Sequence, residues 1–122
     1  MFQDNLFTIV SESKTDNQAD FTIRLNGNHT LYSGHFPNDA ITPGVCVIQM
    51  AVDLFSHTMQ QAHHLVKAKN VKFLQIIRPN EHPEIHYRLT WEKTEDKLFA
   101  VKVLVDDGAV TFSKMSVQMG MK

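Results

Sequence analysis

Pro43-Gly44-Val45-Cys46-Val47-Ile48-Gln49-Met50-Ala51-Val52-Asp53-Leu54-Phe55 is the stretch of this chain that decides its fold. No proline or glycine follows Gly44 until well past Val66. A proline at the first turn suits a helix start, because its missing N–H has no partner to lose there. The pattern predicts one helix over Gly44–Val66, about five to six turns long. A surface helix carries a polar face about half its circumference wide. This one is apolar nearly all round. Only Gln49 and Asp53 interrupt it, and four residues apart they share a face. Ser56 and Gln60 extend the same line to within about 40° of Gln49, at about 100° per residue. The helix therefore reads as buried, with a thin polar stripe. That stripe is either the exposed edge of a core helix or a polar site inside a pocket, since buried polar groups need partners.

Outward from the helix, the chain reads as strands. Leu6–Asn26 is predicted to hold two short ones, joined by a turn over Ser13–Gln18. In the second, Phe21, Ile23 and Leu25 alternate with Thr22, Arg24 and Asn26, the period of a half-buried strand. Asn26-Gly27-Asn28 closes it by turn chemistry. Asn28–Thr42 is an irregular segment, long enough to suggest function. After the helix, Val71–Ile77 is a further strand ended by Arg78-Pro79-Asn80. Ile85, Tyr87, Leu89 and Trp91 alternate with polar neighbours, as do Phe99, Val101, Val103 and Val105. Asp106-Asp107-Gly108 is a hairpin turn. The last strand runs from Val110 to Met119, and its phase changes near Ser113, which predicts a bulge. The sum is an α+β domain, an antiparallel sheet around one long helix.

Composition narrows the function. The chain has 122 residues, 43% hydrophobic and 20% charged, which is enough for one domain with a real core and argues against disorder. Twelve Lys and Arg against thirteen Asp and Glu leave a net charge of −1, so the whole domain is no basic nucleic-acid binder. Cys46 is the single cysteine. It fits a reducing cytoplasm, the expected location. Met1 is followed by Phe2, Gln3 and Asp4 rather than a basic stretch and an apolar run, so no signal peptide is expected, and the run Val45–Phe55 is too short for a membrane span. A domain of this size rarely encloses a substrate cavity alone.

Gly34-His35-Phe36-Pro37-Asn38-Asp39-Ala40-Ile41-Thr42-Pro43-Gly44-Val45 resembles the GHFPxxPxxPGV signature of the β-hydroxyacyl-acyl carrier protein dehydratases of the FabZ type. Ala40 stands where that family usually has proline. Val71-Lys72-Phe73 through Arg78-Pro79, Thr90-Trp91-Glu92-Lys93 and the final hairpin also resemble the family's segments, so the likeness spans roughly Phe21 to Met119. The resemblance implies the hotdog fold, a long antiparallel sheet wrapped around a central helix. It also implies loss of water from a 3-hydroxyacyl thioester carried on acyl carrier protein or CoA.

The implied roles fall on particular residues. His35 is the base that takes the α-proton; a neutral imidazole suits that step. Gly44 holds the thioester oxygen at the helix N-terminus, where N–H groups and the helix dipole stabilise negative charge. Phe36, Pro43 and Val45 line the substrate. The family's carboxylate, five residues after the glycine, is here Gln49, which can hydrogen-bond but cannot supply a proton. Asp53 follows one turn on, where the family often has glutamine, so carboxylate and amide look exchanged. Three readings follow. His35 and Asp53 (with Gln49 assisting) support a dehydratase; the chain binds acyl thioesters as the non-catalytic partner of an active subunit; or Asp53, or a water held by Gln49, supports a thioesterase. Such relatives occur in clusters for fatty acids, lipid A acyl chains and aryl polyene pigments. Family pockets form between two subunits, which implies a homodimer or higher homo-oligomer.

Other residues weigh less. His57, His63 and His64 near the predicted helix end match no HExxH spacing, and no metal or cofactor is expected. Cys46 is read as a packing residue. Met50, Phe55 and Met59 belong to the core or to an acyl tunnel. Lys67, Lys69, Lys72 and Arg78 form either a solvated charge group or a docking point for an acidic carrier protein.

Overall fold

A computed structural model describes residues 5–35 and 40–122. Six strands form one antiparallel sheet: β1 (Phe7–Lys14), β2 (Gln18–Leu25), β3 (His63–Phe73), β4 (Glu84–Glu95), β5 (Leu98–Asp106) and β6 (Thr111–Met121). Their order across the sheet is β1-β2-β4-β5-β6-β3. A short helix, α1 (Thr30–His35), and a long one, α2 (Gly44–Met59), lie between β2 and β3. The sheet wraps around α2, as expected from the sequence.

Alternation fixes which face of the sheet meets the helix. Ala19, Phe21, Ile23 and Leu25 of β2 are buried, as are Ile85, Tyr87, Leu89 and Trp91 of β4. Val101, Val103 and Val105 of β5 and Met115, Val117 and Met119 of β6 complete that face. A one-residue slip would turn each set to solvent, so burial pins the register. From α2, Cys46, Val47, Met50, Ala51, Val52, Leu54 and Phe55 fill the concavity. Burying a side chain such as Leu54 or Phe55 contributes about 1.5–3 kcal/mol. Phe55 packs edge-on against Trp91 and Phe99 at 5.6 and 5.4 Å.

Three expectations need correction. The helix does not run to Val66. It ends at Met59, where Gln60 takes a left-handed conformation (φ 53°) and its N–H donates to His57 O. Glycine usually supplies that conformation, so no residue type announced the stop. The following residues gain more as strand: β3 pairs with β6 from His63↔Met121 to Phe73↔Ser113. His63 and His64 therefore belong to β3, with only His57 left in the last helical turn. His63 is buried between Phe55 and Phe99, 4.9 and 5.7 Å between ring centroids. The third strand accordingly spans His63–Phe73, not Val71–Ile77. Finally, Asn28–Thr42 is not wholly irregular, because Tyr32 is buried and anchors α1. The predicted bulge exists: Val105 pairs with Ser113 but Asp106 with Thr111, so Phe112 is the extra residue and both Phe112 and Ser113 are buried.

The β5–β6 turn has a testable electrostatic basis. Asp107 accepts the N–H of Val110 at 2.7 Å and of Ala109 at 2.9 Å. These bonds favour the carboxylate and hold its carboxyl below the usual value of 3.8. A lowered folded pKa means stability that is present above that usual value and lost as pH falls through the folded one. Asp107→Ala should thus lower Tm at pH 7, and the gap to wild type should close below about pH 4, followed by circular dichroism. A gap constant from pH 7 to pH 2 would contradict this origin.

Candidate active site

The first turn of α2 is open. Pro43 occupies the N-cap in an extended conformation, and among the described residues no side chain caps the turn and no acid lies in it. The leading N–H groups of such a turn have no partner within the helix. Together with the helix dipole they can stabilise a negative oxygen. Beside this turn lies a groove of about 390 Å³, lined by Thr42, Pro43, Gly44 and Val47 on one side and by Phe73–Ile77 on the other. Its walls are mostly apolar, and its volume suits a small ligand or an acyl segment.

Gly44 is a close-approach residue. A Cβ built there would lie 2.7 Å from Cζ of Phe73, so the aromatic ring rests directly on the glycine. Phe73 is half exposed, and its ring can swing away. Gly44→Ala should therefore leave Tm near wild type, yet push Phe73 into the groove and raise KM for an acyl thioester several-fold. An unchanged KM would show that nothing uses the space beside Gly44.

Two buried tyrosines hold this corner. Tyr32 of α1 and Thr42, both buried, share a hydrogen bond of 2.8 Å between their hydroxyls. Thr42 N–H donates to Ile77 O. The Tyr87 hydroxyl donates to Val47 O at 2.8 Å. Burial pushes both phenols up, with Cys46 nearby adding to it, so both stay protonated and hold these bonds across the physiological range. The Cys46 thiol is likewise raised by burial, which makes it unreactive and fits its reading as a packing residue. The sequence reading passed over Tyr32, Thr42, Tyr87 and Phe73. Tyr32 sits one helical turn before His35, a signal available in the spacing; Phe73 on Gly44 depends on how β3 meets α2, which spacing does not reveal.

His35 closes α1. Its side chain and all of Phe36 lie outside the described residues. Gln49 and Asp53 are brought together directly: Gln49 Nε2 donates to Asp53 Oδ1 at 2.8 Å. Asp53 is buried, at 8% exposure, and Gln49 is half-buried. The stripe continues to Ser56, whose hydroxyl accepts the His63 N–H at 3.0 Å. Neither Gln49 nor Asp53 lines the groove beside Gly44, because they occupy another face of α2. Val45 is 73% exposed and is also not among the groove's lining residues. The amide thus orients a carboxylate at one place, while the open turn of α2 lies at another. Among the described residues no group of His, Cys, Asp and Glu could hold a metal ion, and no helix is long and apolar enough to cross a membrane.

Residues 11–114 match the family of ApeI-like proteins, described as ApeI dehydratase. Curated relatives include 3-hydroxyacyl-[acyl-carrier-protein] dehydratase FabZ of Lactiplantibacillus plantarum. It is 22% identical over 76% of this chain and 68% of its own length. The FabZ of Rickettsia typhi is 25% identical over 75% and 69%. Among solved structures, the dehydratase heterocomplex ApeI:P from Xenorhabdus doucetiae superposes with a TM-score of 0.68 at 18% identity, covering 92% of this chain and 96% of that one. A mutant thioesterase from Pseudomonas aeruginosa gives 0.64 at 13% identity, over 97% and 83%. These likenesses share the hotdog fold. The match across 11–114 joins the open α2 turn and its groove to one lineage: the chain belongs to the ApeI-like dehydratase family.

Proposed function

We propose that this protein dehydrates a 3-hydroxyacyl thioester, delivered on acyl carrier protein or CoA, to the enoyl thioester. The observation that carries this reading is the first turn of α2, which no side chain among the described residues caps and which opens onto the apolar groove at Gly44. The thioester oxygen accepts from that turn, which stabilises the enolate-like charge as the α-proton leaves. His35 takes the α-proton. The C–OH bond breaks, the new double bond forms, and the hydroxyl leaves as water once it gains a proton. Gln49 cannot give that proton. Asp53, held by Gln49, supplies it or orients the leaving group.

The working unit in this reading is a homodimer, located in the cytoplasm. β3 lies at the sheet edge, and Leu65, Val66 and Phe73 on it are exposed, as are Leu74 and Ile76 beyond it. An uncovered apolar edge strand invites pairing. Within one chain the groove and the Gln49–Asp53 pair lie on different faces of α2, so a second copy completes a site that one chain leaves divided.

The Gln49–Asp53 bond also favours a second reading, that the chain binds thioesters without dehydrating them. Incubation of the protein with a 3-hydroxyacyl thioester separates these. Enoyl product read by absorbance or mass supports dehydration. Binding without turnover supports the second reading, and release of free thiol points to hydrolysis.

A further inference from the structure

Two parts of the proposed reaction are joined by one bond between side chains. His35 ends α1, and Gly44 opens α2. Tyr32 stands about one helical turn before His35, and Thr42 stands two residues before Gly44. The Tyr32 and Thr42 hydroxyls, both buried, share a hydrogen bond of 2.8 Å. Among the described residues neither hydroxyl has another hydrogen-bond partner. Thr42 is itself fixed from behind: its N–H donates to Ile77 O at 2.9 Å, and Ile77 is buried. Pro43 O accepts the N–H groups of Cys46 and Val47 at 3.0 and 3.1 Å, so α2 begins immediately after Thr42.

Core packing explains the ring of Tyr32 but not its hydroxyl. A phenylalanine would fill the same space, and burying a phenol O–H costs free energy unless it is hydrogen-bonded. What the hydroxyl adds is a fixed point for α1. That helix has six residues, and a helix so short does not hold its conformation alone in water. Tertiary contacts must therefore set the direction in which it ends. Of its described side chains Tyr32 alone is buried; Thr30 is exposed and Leu31 half-buried. The N–H groups of Leu31 and Tyr32 go to Nδ1 and O of His29, bonds that stay within the same short segment. The Tyr32–Thr42 bond leaves that segment and reaches the start of α2. An apolar contact lets a ring slide or turn, whereas a hydrogen bond fixes both distance and direction.

We propose that Tyr32 is a positioning residue for His35: through Thr42, its hydroxyl sets where α1 ends relative to the open turn of α2, and so where the base meets the acyl thioester. That role rests on the reading of His35 under Proposed function; the bond and its burial do not. Misplacing a reacting group by about 1 Å can cost about 10²-fold in rate, so the loss of one hydroxyl away from the chemistry is readable in kcat. In this role Tyr32 touches no substrate and acts only through α1. Thr42 is the fixed end of the bond, and Tyr32 is the end that carries the base.

The test uses the full chain and a 3-hydroxyacyl thioester, with initial rates across pH and amide hydrogen exchange on the same proteins. Tyr32→Phe removes the hydroxyl and keeps the ring. Thr42→Val keeps the shape and removes the hydroxyl, while Thr42→Ser keeps the hydroxyl. We expect Tyr32→Phe to lower kcat about tenfold or more, with KM within about twofold and the acid limb of kcat/KM retained, because the base is still present. Thr42→Val should lower kcat to a similar degree, and the double variant should be no slower than the slower single one, since both remove the same bond. Thr42→Ser should retain most of the rate. On the residual activity of His35→Ala, Tyr32→Phe should have almost no effect, because no base is left to place. Exchange of the α1 amides should quicken about tenfold or more in Tyr32→Phe while β4 and β5 keep their protection. A wild-type kcat in Tyr32→Phe, an equal fractional loss in the His35→Ala background, or protection lost across the whole sheet would each overturn the positioning role. Turnover that ignores Tyr32 leaves the dehydratase reading standing. A wild type that forms no enoyl product removes that reading; exchange then decides alone, with α1 loosened by Tyr32→Phe retaining the anchor and α1 unchanged removing it.

Discussion

Replacing His35 by alanine is expected to lower enoyl-thioester formation by about 10²–10⁴-fold, the usual contribution of a positioned acid–base group. The α-proton of a thioester is weakly acidic, and its removal needs a base that is neutral near the working pH. An imidazole meets that requirement. The open turn at Gly44, which in the proposed reaction holds the thioester oxygen, remains in the variant, so residual activity above the uncatalysed rate should persist. kcat should fall with KM little changed, because the groove that holds the acyl group is intact. A second signature is pH: wild-type kcat/KM should fall on the acid side as the base is protonated, and the variant should lose that limb. Turnover that survives His35→Ala with its acid limb intact would remove His35 from the reaction.

The second large effect concerns the exchanged amide and carboxylate. Asp53→Asn keeps the shape and removes both the charge and the transferable proton. Where Asp53 serves the departing hydroxyl, dehydration should fall by about 10²-fold or more. Gln49→Glu restores a carboxylate at the position where FabZ-type sequences carry one. It also sets that group against Asp53, in place of an amide that now donates at 2.8 Å. Two carboxylates at such a distance repel when both are charged, so one of them keeps its proton to a higher pH than a lone carboxyl would. The Glu variant should therefore keep or gain dehydration. Both variants are read by the same initial-rate assay. Indifference to Asp53→Asn leaves Gln49 as an orienting group and His35 as the only proton carrier. An inactive wild type made active by Gln49→Glu would identify a thioester-binding protein that has lost the reaction.

Much of this architecture was legible in the residues. β2, β4, β5 and β6 alternate with a period of two over enough positions to show which face is buried, and Asp106-Asp107-Gly108 marks its turn by local chemistry. Val110 and Phe112 are out of phase with Met115, Val117 and Met119, and that break in the period betrayed the bulge. The end of α2 was not legible. Gln60 adopts a left-handed conformation (φ 53°) with no glycine to signal it, and His63–Val66 carries an apolar pattern that a helix or a strand could use equally. Pairing with β6 decided in favour of the strand. The candidate site divides in the same manner. Gly44, Pro43 and the Gln49–Asp53 line follow from spacing along one helix. The ring of Phe73 on Gly44 and the hydrogen bond from Tyr87 to Val47 require segments far apart in the chain to meet.

By itself, then, the sequence determined the class of fold, the start and burial of the central helix, and its polar line. Each depends on interactions within a turn or a pleat, whose periods are written into neighbouring residues. Only the tertiary structure decided where α2 stops and β3 begins, and that Gln49 and Asp53 bond directly while the groove opens on a different face. It also decided that Lys72, Lys102, Lys114 and Arg88, from four strands, line one groove on a chain of net charge −1. Strand order and register set those neighbours; alternation along one strand tells which face a residue takes, not which residues of other strands lie beside it.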